Sequence, residues 1–180
     1  MQDKILTIVV PSYNAEKYLT ETMPSILAAK YRDLIDLVIV NDGSTDMTRQ
    51  VAEEISKQYP EIVRVINKEN GGHGSAVNTG IEYAVGKYFK VVDADDWVDT
   101  GNLDLLIEYL QETDVDNVLS PYYKVFVDEN ASILNIEEYN CLPVVSSFTY
   151  NSEGIMFEYA VSRYRPDCFS FSDNPVRKNT

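Results

Sequence analysis

The chain has 180 residues, of which 44% are hydrophobic and 24% charged, and its formal net charge at pH 7 is −14. These totals predict one soluble globular domain with a core of its own. The net charge argues strongly against nucleic acid and anionic membranes as the main partner. No stretch approaches the roughly 20 apolar residues of a membrane span. The two cysteines, Cys141 and Cys168, fit no metal-binding spacing, so we expect free thiols in a reducing cytoplasm.

Runs of β-branched and other apolar residues predict four buried strands, and a helix-forming segment follows each of them. The first strand is expected to stop at Pro11, because proline cannot donate to a strand ladder. The first helix is expected to kink or to restart at Pro24. The predicted strands cover residues 4–10, 35–40, 62–66 and 87–92. The predicted helices cover residues 15–30, 47–58, 75–85 and 102–112.

This alternation predicts βαβ units and therefore an α/β fold, with a mostly parallel, Rossmann-like sheet flanked by helices. Beyond it, residues 117–127 are expected to be extended and residues 128–141 to form a loop. A strand over 142–150 and a short helix over 153–161 are expected to follow. We predict a core over residues 1–120 and a smaller, divergent part over residues 121–180.

Four polar segments, PSYNAE, NDGSTD, NKENGGHG and DADD, each follow the end of a predicted strand. In a parallel sheet these segments lie along the carboxyl edge, where open α/β sheets bind ligands. In the last segment, Asp93 and Asp95 place carboxylates close together, and a divalent cation would relieve their repulsion and bind a diphosphate.

The alternatives for these aspartates are an acidic turn without function, an EF-hand calcium loop and a haloacid-dehalogenase-like phosphatase. Counted from Asp93, the fifth and sixth positions hold Trp97 and Val98 instead of an oxygen ligand and glycine, which excludes the EF-hand loop. The pair follows the fourth predicted strand and not the first, which disfavours the phosphatase.

The glycine-rich segment GGHGSAVNTG is not a dinucleotide fingerprint, because Val77 stands at the third glycine position when counted from Gly72. We interpret it as a tight loop whose backbone approaches a ligand, with a helix beginning at Gly74 or Ser75. His73, the only histidine, is interpreted as a loop residue without a catalytic part.

The segments VVPSYNAEKYL, VIVNDGSTDMT, NGGHGSAVNTGI and FKVVDADDWVD, in this order, resemble the nucleotide-binding half of family 2 glycosyltransferases with the GT-A fold. The resemblance covers about residues 4–112. It implies an inverting transfer of a sugar from a nucleotide-sugar donor, commonly UDP-linked, to a glycan or lipid-linked acceptor in polysaccharide biosynthesis. It also implies Mn²⁺ or Mg²⁺ as cofactor. A position at the inner face of the membrane and a homo-oligomer stay open.

By position, the resemblance implies that Pro11 and Tyr13 line the nucleobase pocket and that Asp42 hydrogen-bonds the base edge. Asp95 would be the direct metal ligand, with Asp93 in the ribose and metal region. On the sugar side, the adjacent Asp96 is a catalytic candidate. The further donor-binding positions implied are Asn14, Asn67, Lys68, Gly71, Gly72 and Ala94.

The general base is expected from a later acidic motif, often Glu-Asp in the family. Here Ser172 replaces the Glu, so Asp173 is the candidate, with Glu153 and Glu158 as alternatives.

Val77 stands where many members have Arg, so a phosphate or base contact made elsewhere in the family is expected to be missing. Because the chain ends at Thr180, we expect an excised N-terminal portion or a shortened protein. The alternative functions are a nucleotide-sugar-binding fragment without transfer activity and a haloacid-dehalogenase-like phosphotransferase.

Overall fold

The computed structural model describes residues 3–118 and residue 120, together with the backbone of four later strands. Its contacts divide the chain into two units, Met1–Asp114 and Val115–Thr180. The predicted boundary at residue 120 stays a prediction. Among the described residues, no helix is both long and apolar enough to cross a membrane.

The first unit contains a four-stranded parallel sheet with the order β3-β2-β1-β4. All residues of the two central strands, β1 and β2, are buried. Burial on both faces explains why their sequences are nearly continuous apolar runs without alternation. The predicted parallel α/β arrangement is therefore confirmed. The four strands are β1 (Leu6–Ser12), β2 (Ile35–Asp42), β3 (Val63–Lys68) and β4 (Tyr88–Val91).

Four α-helices connect and follow these strands, as the sequence predicts. Of these, α3 packs against β1 and β2. Its approach depends on Gly80, because a Cβ atom there would lie 2.3 Å from Cγ1 of Val9. The helices are α1 (Glu16–Leu27), α2 (Thr48–Gln58), α3 (His73–Tyr83) and α4 (Thr100–Glu112), with a short 3-10 helix at Arg32–Leu34.

Two prolines lie inside regular elements, where sequence reasoning expected an end or a break. The prediction that β1 stops at Pro11 is wrong, since the strand continues to Ser12. The carbonyl of Val9 accepts a hydrogen bond from Val92, so alternate residues of β1, including Pro11, face the side of β4. Pairing with β4 has ended at that level, and the missing N–H costs no ladder bond. Pro24 lies within α1, which continues as one helix without a second start.

The second unit contains two antiparallel strand pairs, β5 with β6 and β7 with β8. The predicted helix over 153–161 is wrong, because β8 occupies most of that range, and the predicted loop over 128–141 contains β6. Phe157, Tyr159 and Val161 alternate along β8, a period of two that suits a strand once a partner pairs with it. The strands are β5 (Tyr122–Val127), β6 (Ile133–Tyr139), β7 (Val145–Tyr150) and β8 (Met156–Ser162).

Candidate functional site

The carboxyl edge of the parallel sheet carries the polar segments that the sequence singles out. Since β2 and β3 lie on one side of β1 and β4 on the other, the strand order reverses between β1 and β4. Ligands of open α/β sheets bind outside the strands at such a switch point. Tyr13 follows β1 and Asp93 follows β4, so the two residues flank this position.

Asp42, the last residue of β2, is 2% exposed and accepts three hydrogen bonds. Lys68 Nζ lies 2.5 Å and the Gly71 N–H nitrogen 3.0 Å from Oδ1, and the Gly72 nitrogen lies 2.8 Å from Oδ2. Burial alone would raise the pKa of Asp42, but these donors outweigh it and hold the pKa below its usual value. Asp42 therefore remains ionised and ties the glycine segment to the sheet.

The segment after β1 is joined to the segment after β2 by hydrogen bonds. Asn14 has a left-handed backbone with φ of 51°. Its backbone N–H donates to Ser44 Oγ at 3.0 Å, while its side-chain Oδ1 accepts from the Thr45 N–H at 2.9 Å. Pro11 is buried on β1, whereas Tyr13 is 53% exposed. The joined segments hold the backbone of Tyr13 while its ring stays accessible.

Reciprocal bonds between helix starts strengthen this junction. The Glu16 N–H, at the start of α1, donates to Asp46 Oδ2 at 3.3 Å, and the Met47 N–H donates to Glu16 Oε2 at 2.8 Å. Asp46 also accepts from the Thr48 N–H at 2.9 Å. These carboxylates satisfy amide groups that a helix start leaves unpaired. The bonds between Glu16 and the segment of Asp46 are not evident from the sequence, because they join segments about 30 residues apart.

The aspartate-rich segment forms a turn, and its aspartates make different contacts. They are Asp93, Asp95, Asp96 and Asp99. The Asp96 N–H donates to the Asp93 carbonyl at 3.0 Å and closes the turn. Asp99 is the N-cap of α4 and accepts from the Asn102 N–H at 2.7 Å, so it serves the helix. Asp95 is exposed and has no hydrogen-bond or ion-pair partner among the described residues.

The backbone of this turn is held in place by hydrogen bonds to α1. Ala94 is buried, and its carbonyl accepts a hydrogen bond from Thr22 Oγ1 at 3.0 Å. Ser25 Oγ accepts from the Val98 N–H at 3.2 Å, and the carbonyl of Ser25 accepts from the Thr100 hydroxyl at 2.8 Å. The exposed aspartates thus stand on an anchored turn.

His73 is the first residue of α3 and contacts the aspartate turn. Its Nε2 lies 3.0 Å from Asp93 Oδ1, and the side chains are 64% and 52% exposed. The interpretation of His73 as a loop residue is therefore wrong, since it begins α3, while the expectation that it has no catalytic part stays a prediction. The predicted start of α3 at Gly74 or Ser75 lies one or two residues late. The sequence offered one signal, namely that His73 directly follows the Gly71–Gly72 pair.

No group of three or more His, Cys, Asp or Glu side chains that could hold a metal occurs in the described part of the chain. Mg²⁺ usually binds one or two carboxylates and completes its shell with water and substrate phosphates. Asp93 and Asp95 are exposed carboxylates on one turn. Their number and chemistry fit a small hard cation that is shared with a diphosphate.

Several other predicted site residues bond within the protein. Asn67 accepts from Asn41 Nδ2 at 2.9 Å, and Lys68 also donates to the Glu69 carbonyl at 2.6 Å. Val77 is buried in the core, so its apolar side chain offers no polar contact at this position. Asp173 and Glu153 lie outside the described residues, and Glu158 is placed only as a backbone position on β8.

Comparison with known proteins identifies the chain. Residues 7–177 match the profile of Glycosyl transferase family 2. The chain belongs to this family. The family is one of glycosyltransferases, which argues against the phosphotransferase alternative. The expected GT-A fold is confirmed by its structural neighbours.

Two relatives illustrate the match of this chain. GlyG, a glycosyltransferase of Streptococcus pneumoniae serotype 4, is 39% identical over 121 residues, covering 67% of this chain and 40% of GlyG. A teichoic acid poly(glycerol phosphate) polymerase of Staphylococcus epidermidis is 31% identical over 176 residues, covering 94% of this chain and 24% of the polymerase. The chain thus spans less than half of the length of each.

Two solved structures resemble this chain. S. aureus TarS in complex with UDP-GlcNAc has a TM-score of 0.54 and 29% identity, over 60% of this chain and 31% of that one. A mannosyltransferase of Pyrobaculum calidifontis in complex with GDP-Man and Mn²⁺ has a TM-score of 0.52 and 25% identity, over 57% of this chain and 31% of that one.

Proposed function

We propose that this glycosyltransferase binds a UDP-sugar at the switch point between β1 and β4 and transfers the sugar, with inversion, to a glycan or lipid-linked acceptor. The observation that carries the proposal is the position of Tyr13, Asp42 and the Asp93–Asp95 turn along one sheet edge. The UDP-GlcNAc complex of the TarS relative supports UDP as the nucleotide. The chain spans less than half of the length of these relatives, so the activity of the whole protein is part of the proposal. Its cytoplasmic location is proposed as well.

The base pocket is proposed to use the exposed ring of Tyr13 for stacking and the carboxylate of Asp42 for recognition. A carboxylate offers about four acceptor positions, and three are taken by Lys68, Gly71 and Gly72. The position left on Oδ2 suits one N–H donor, such as the imide of uracil. A base that lacks a donor there leaves a buried acceptor unpaired, which costs about 1–3 kcal/mol.

The diphosphate is proposed to lie between the glycine segment and the aspartate turn. An ammonium group has three donors, and two of those of Lys68 are occupied, so one can reach a phosphate. Asp93 and Asp95 are the residues that would hold Mn²⁺ or Mg²⁺. When bound, the cation would neutralise charge on the departing diphosphate.

In the proposed transfer, the acceptor hydroxyl oxygen attacks the anomeric carbon opposite the diphosphate, and the bond from that carbon to the diphosphate oxygen breaks. A carboxylate base takes the hydroxyl proton, a role typically worth about 10²–10⁴-fold in rate. We assign this role to Asp173, and Asp96 to the sugar side of the donor pocket. Both assignments derive from the family resemblance.

The test is a calorimetric screen of UDP-, GDP- and dTDP-sugars, each with Mn²⁺ and with EDTA. We expect UDP-sugars to bind at least about tenfold more tightly than a CDP-sugar included in the same screen, the factor that about 1.4 kcal/mol of base recognition gives, because cytosine lacks the imide N–H that thymine shares with uracil. Tighter binding of a GDP-sugar would contradict the assignment of UDP. Absence of any nucleotide-sugar binding would contradict the function as a whole.

A second candidate function is binding of the nucleotide sugar without transfer. It is considered because the chain spans only 40% of GlyG and 24% of the polymerase. Donor hydrolysis and transfer to added glycans, followed in the same samples, separate the two. Binding without turnover favours the binding fragment, and turnover excludes it.

A further inference from the structure

We infer that His73 is a positioning residue of the donor site, and that its imidazole holds the carboxylate of Asp93 in the orientation needed for metal and diphosphate binding. The inference rests on the proposed function, since it concerns the same site. It begins from the 3.0 Å distance between His73 Nε2 and Asp93 Oδ1. An ionised carboxylate only accepts hydrogen bonds, so Nε2 carries the proton and donates it.

The backbone on the histidine side of this contact is anchored. Gly72, the N-cap of α3, has a φ of 84° that a residue with a side chain rarely adopts. Its N–H is bound to Asp42 Oδ2, and its carbonyl accepts from the Ala76 N–H at 3.1 Å. Ala76 is completely buried, and Gly80 lies against Val9. The buried face of α3 therefore fixes the place from which His73 extends.

The backbone on the aspartate side is anchored as well. The Val92 N–H donates to the Val9 carbonyl at 3.0 Å, and the Asp96 N–H donates to the carbonyl of Asp93 itself. The buried Ala94 follows directly. Both ends of the histidine–aspartate contact are thus tied to β1, one through α3 and the other through the end of β4.

The consequence is that an exposed carboxylate has one oxygen restrained. With Oδ1 bound to His73, the Asp93 side chain loses rotational freedom before ligand arrives, and Oδ2 has no partner among the described residues. A group that a hydrogen bond orients in advance binds with a smaller loss of conformational entropy. Hydrogen bonds to ligating carboxylates of this kind typically contribute about 10–100-fold to metal affinity.

The test compares His73→Ala and His73→Gln with the parent chain. Mn²⁺ is titrated into protein saturated with UDP while electron paramagnetic resonance reports free Mn²⁺, and UDP affinity is measured separately in EDTA. We expect His73→Ala to weaken Mn²⁺ binding about tenfold, the lower end for an outer-shell partner, because the pair is more than half exposed. UDP affinity in EDTA should not change. Gln should restore most of the loss, since its amide N–H can donate to Asp93.

Glu82→Gln is the matched control, since Glu82 is exposed on the last turn of the same helix and should leave both values unchanged. Equal Mn²⁺ binding in His73→Ala and the parent overturns the inference but leaves the proposed function standing. Equal weakening of UDP with and without Mn²⁺ also overturns it, by showing that His73 contacts the nucleotide. A parent chain whose UDP complex binds no Mn²⁺ overturns the inference together with the assignment of Asp93 and Asp95 as metal ligands, while nucleotide binding still stands.

Discussion

Arg64 donates two parallel hydrogen bonds to the buried carboxylate of Asp36, from Nε to Oδ1 at 2.8 Å and from Nη2 to Oδ2 at 2.7 Å. Thr7 donates to the same carboxylate at 2.8 Å, and Arg64 Nη2 also reaches the Tyr83 carbonyl at 2.6 Å. The network joins β1, β2, β3 and the end of α3. It lies at the amino end of the sheet, opposite the candidate site.

Asp36→Ala is expected to reduce the free energy of unfolding by about 3 kcal/mol, because it leaves Arg64 and Thr7 without their acceptor. The value is at the low end of the range for a broken buried pair, since the Arg64 side chain is 39% exposed and can be hydrated. Urea unfolding measures it. Asp33→Asn is the control, because Asp33 is exposed and its side chain has no partner among the described residues. A loss no larger than that of the control would refute the role of the pair.

Protonation of Asp42 is expected to destabilise the fold in acid. The folded-state pKa lies below the usual value of 3.8, so the stabilisation is complete above that value and is lost as the pH falls through the folded pKa. Between about pH 5 and about pH 2, the free energy of unfolding should fall more steeply for the parent than for Asp42→Asn. Urea unfolding at several pH values measures both slopes. Parallel slopes would show that Asp42 gains no net stabilisation from its donors.

Gly80→Ala is expected to destabilise the fold by about 1–2 kcal/mol, because the new Cβ overlaps Val9 and overpacking outweighs the gain in helix propensity. Val9 is β-branched and completely buried, so its side chain has little freedom to move. Adding Val9→Ala should remove the overlap, and a double-mutant cycle in thermal unfolding would measure the coupling.

Gly74→Ala is the matched control in the same helix, since a Cβ at Gly74 meets nothing within 4 Å. It should leave the stability unchanged or raise it by a few tenths of a kcal/mol. A similar loss for both substitutions would mean that glycine is needed in α3 for a reason other than the contact with Val9.

The sequence predicts the parallel layer well because its signals are local. Buried runs such as IDLVIV and the capping aspartate before α4 carry their information within one segment. The prediction that β1 ends at Pro11 is wrong because its outcome depends on which neighbouring strand, β2 or β4, the position without an N–H faces. The helix predicted over 153–161 is wrong because so short a segment is compatible with both the helical and the strand period. Pairing of β8 with β7 favours the strand.

The candidate site is only partly predictable for the same reason. The sequence places Asp42, Asp93 and Asp95 after their strands, and the sheet brings those ends to one edge. The contacts of Asp42 with Lys68 and of His73 with Asp93 depend on the paths of segments that are distant in sequence. Local patterns carry no information on such paths, so His73 and the bonded state of Asp42 became visible only in the fold.

Asp173→Asn is expected to lower sugar transfer by about 10²-fold or more, because it removes the proposed general base. UDP-sugar affinity should stay unchanged, since the proposed donor pocket lies within the first unit. Turnover and calorimetric affinity are measured on the same preparation. Unchanged turnover in a chain that transfers sugar would exclude Asp173 and direct attention to Glu153, Glu158 or a residue outside this chain.

The most direct test of a metal-assisted UDP site at the aspartate turn is the affinity for UDP with Mn²⁺ and with EDTA, compared between the parent and Asp95→Asn. The substitution keeps the size of an exposed side chain and removes its charge, so thermal unfolding should be unchanged. Asp33→Asn provides the same chemical change at the opposite end of the sheet. We expect Mn²⁺ to tighten UDP binding in the parent and in Asp33→Asn but not in Asp95→Asn. Equal tightening in all three proteins would contradict the assignment of the aspartate turn as the metal and diphosphate site.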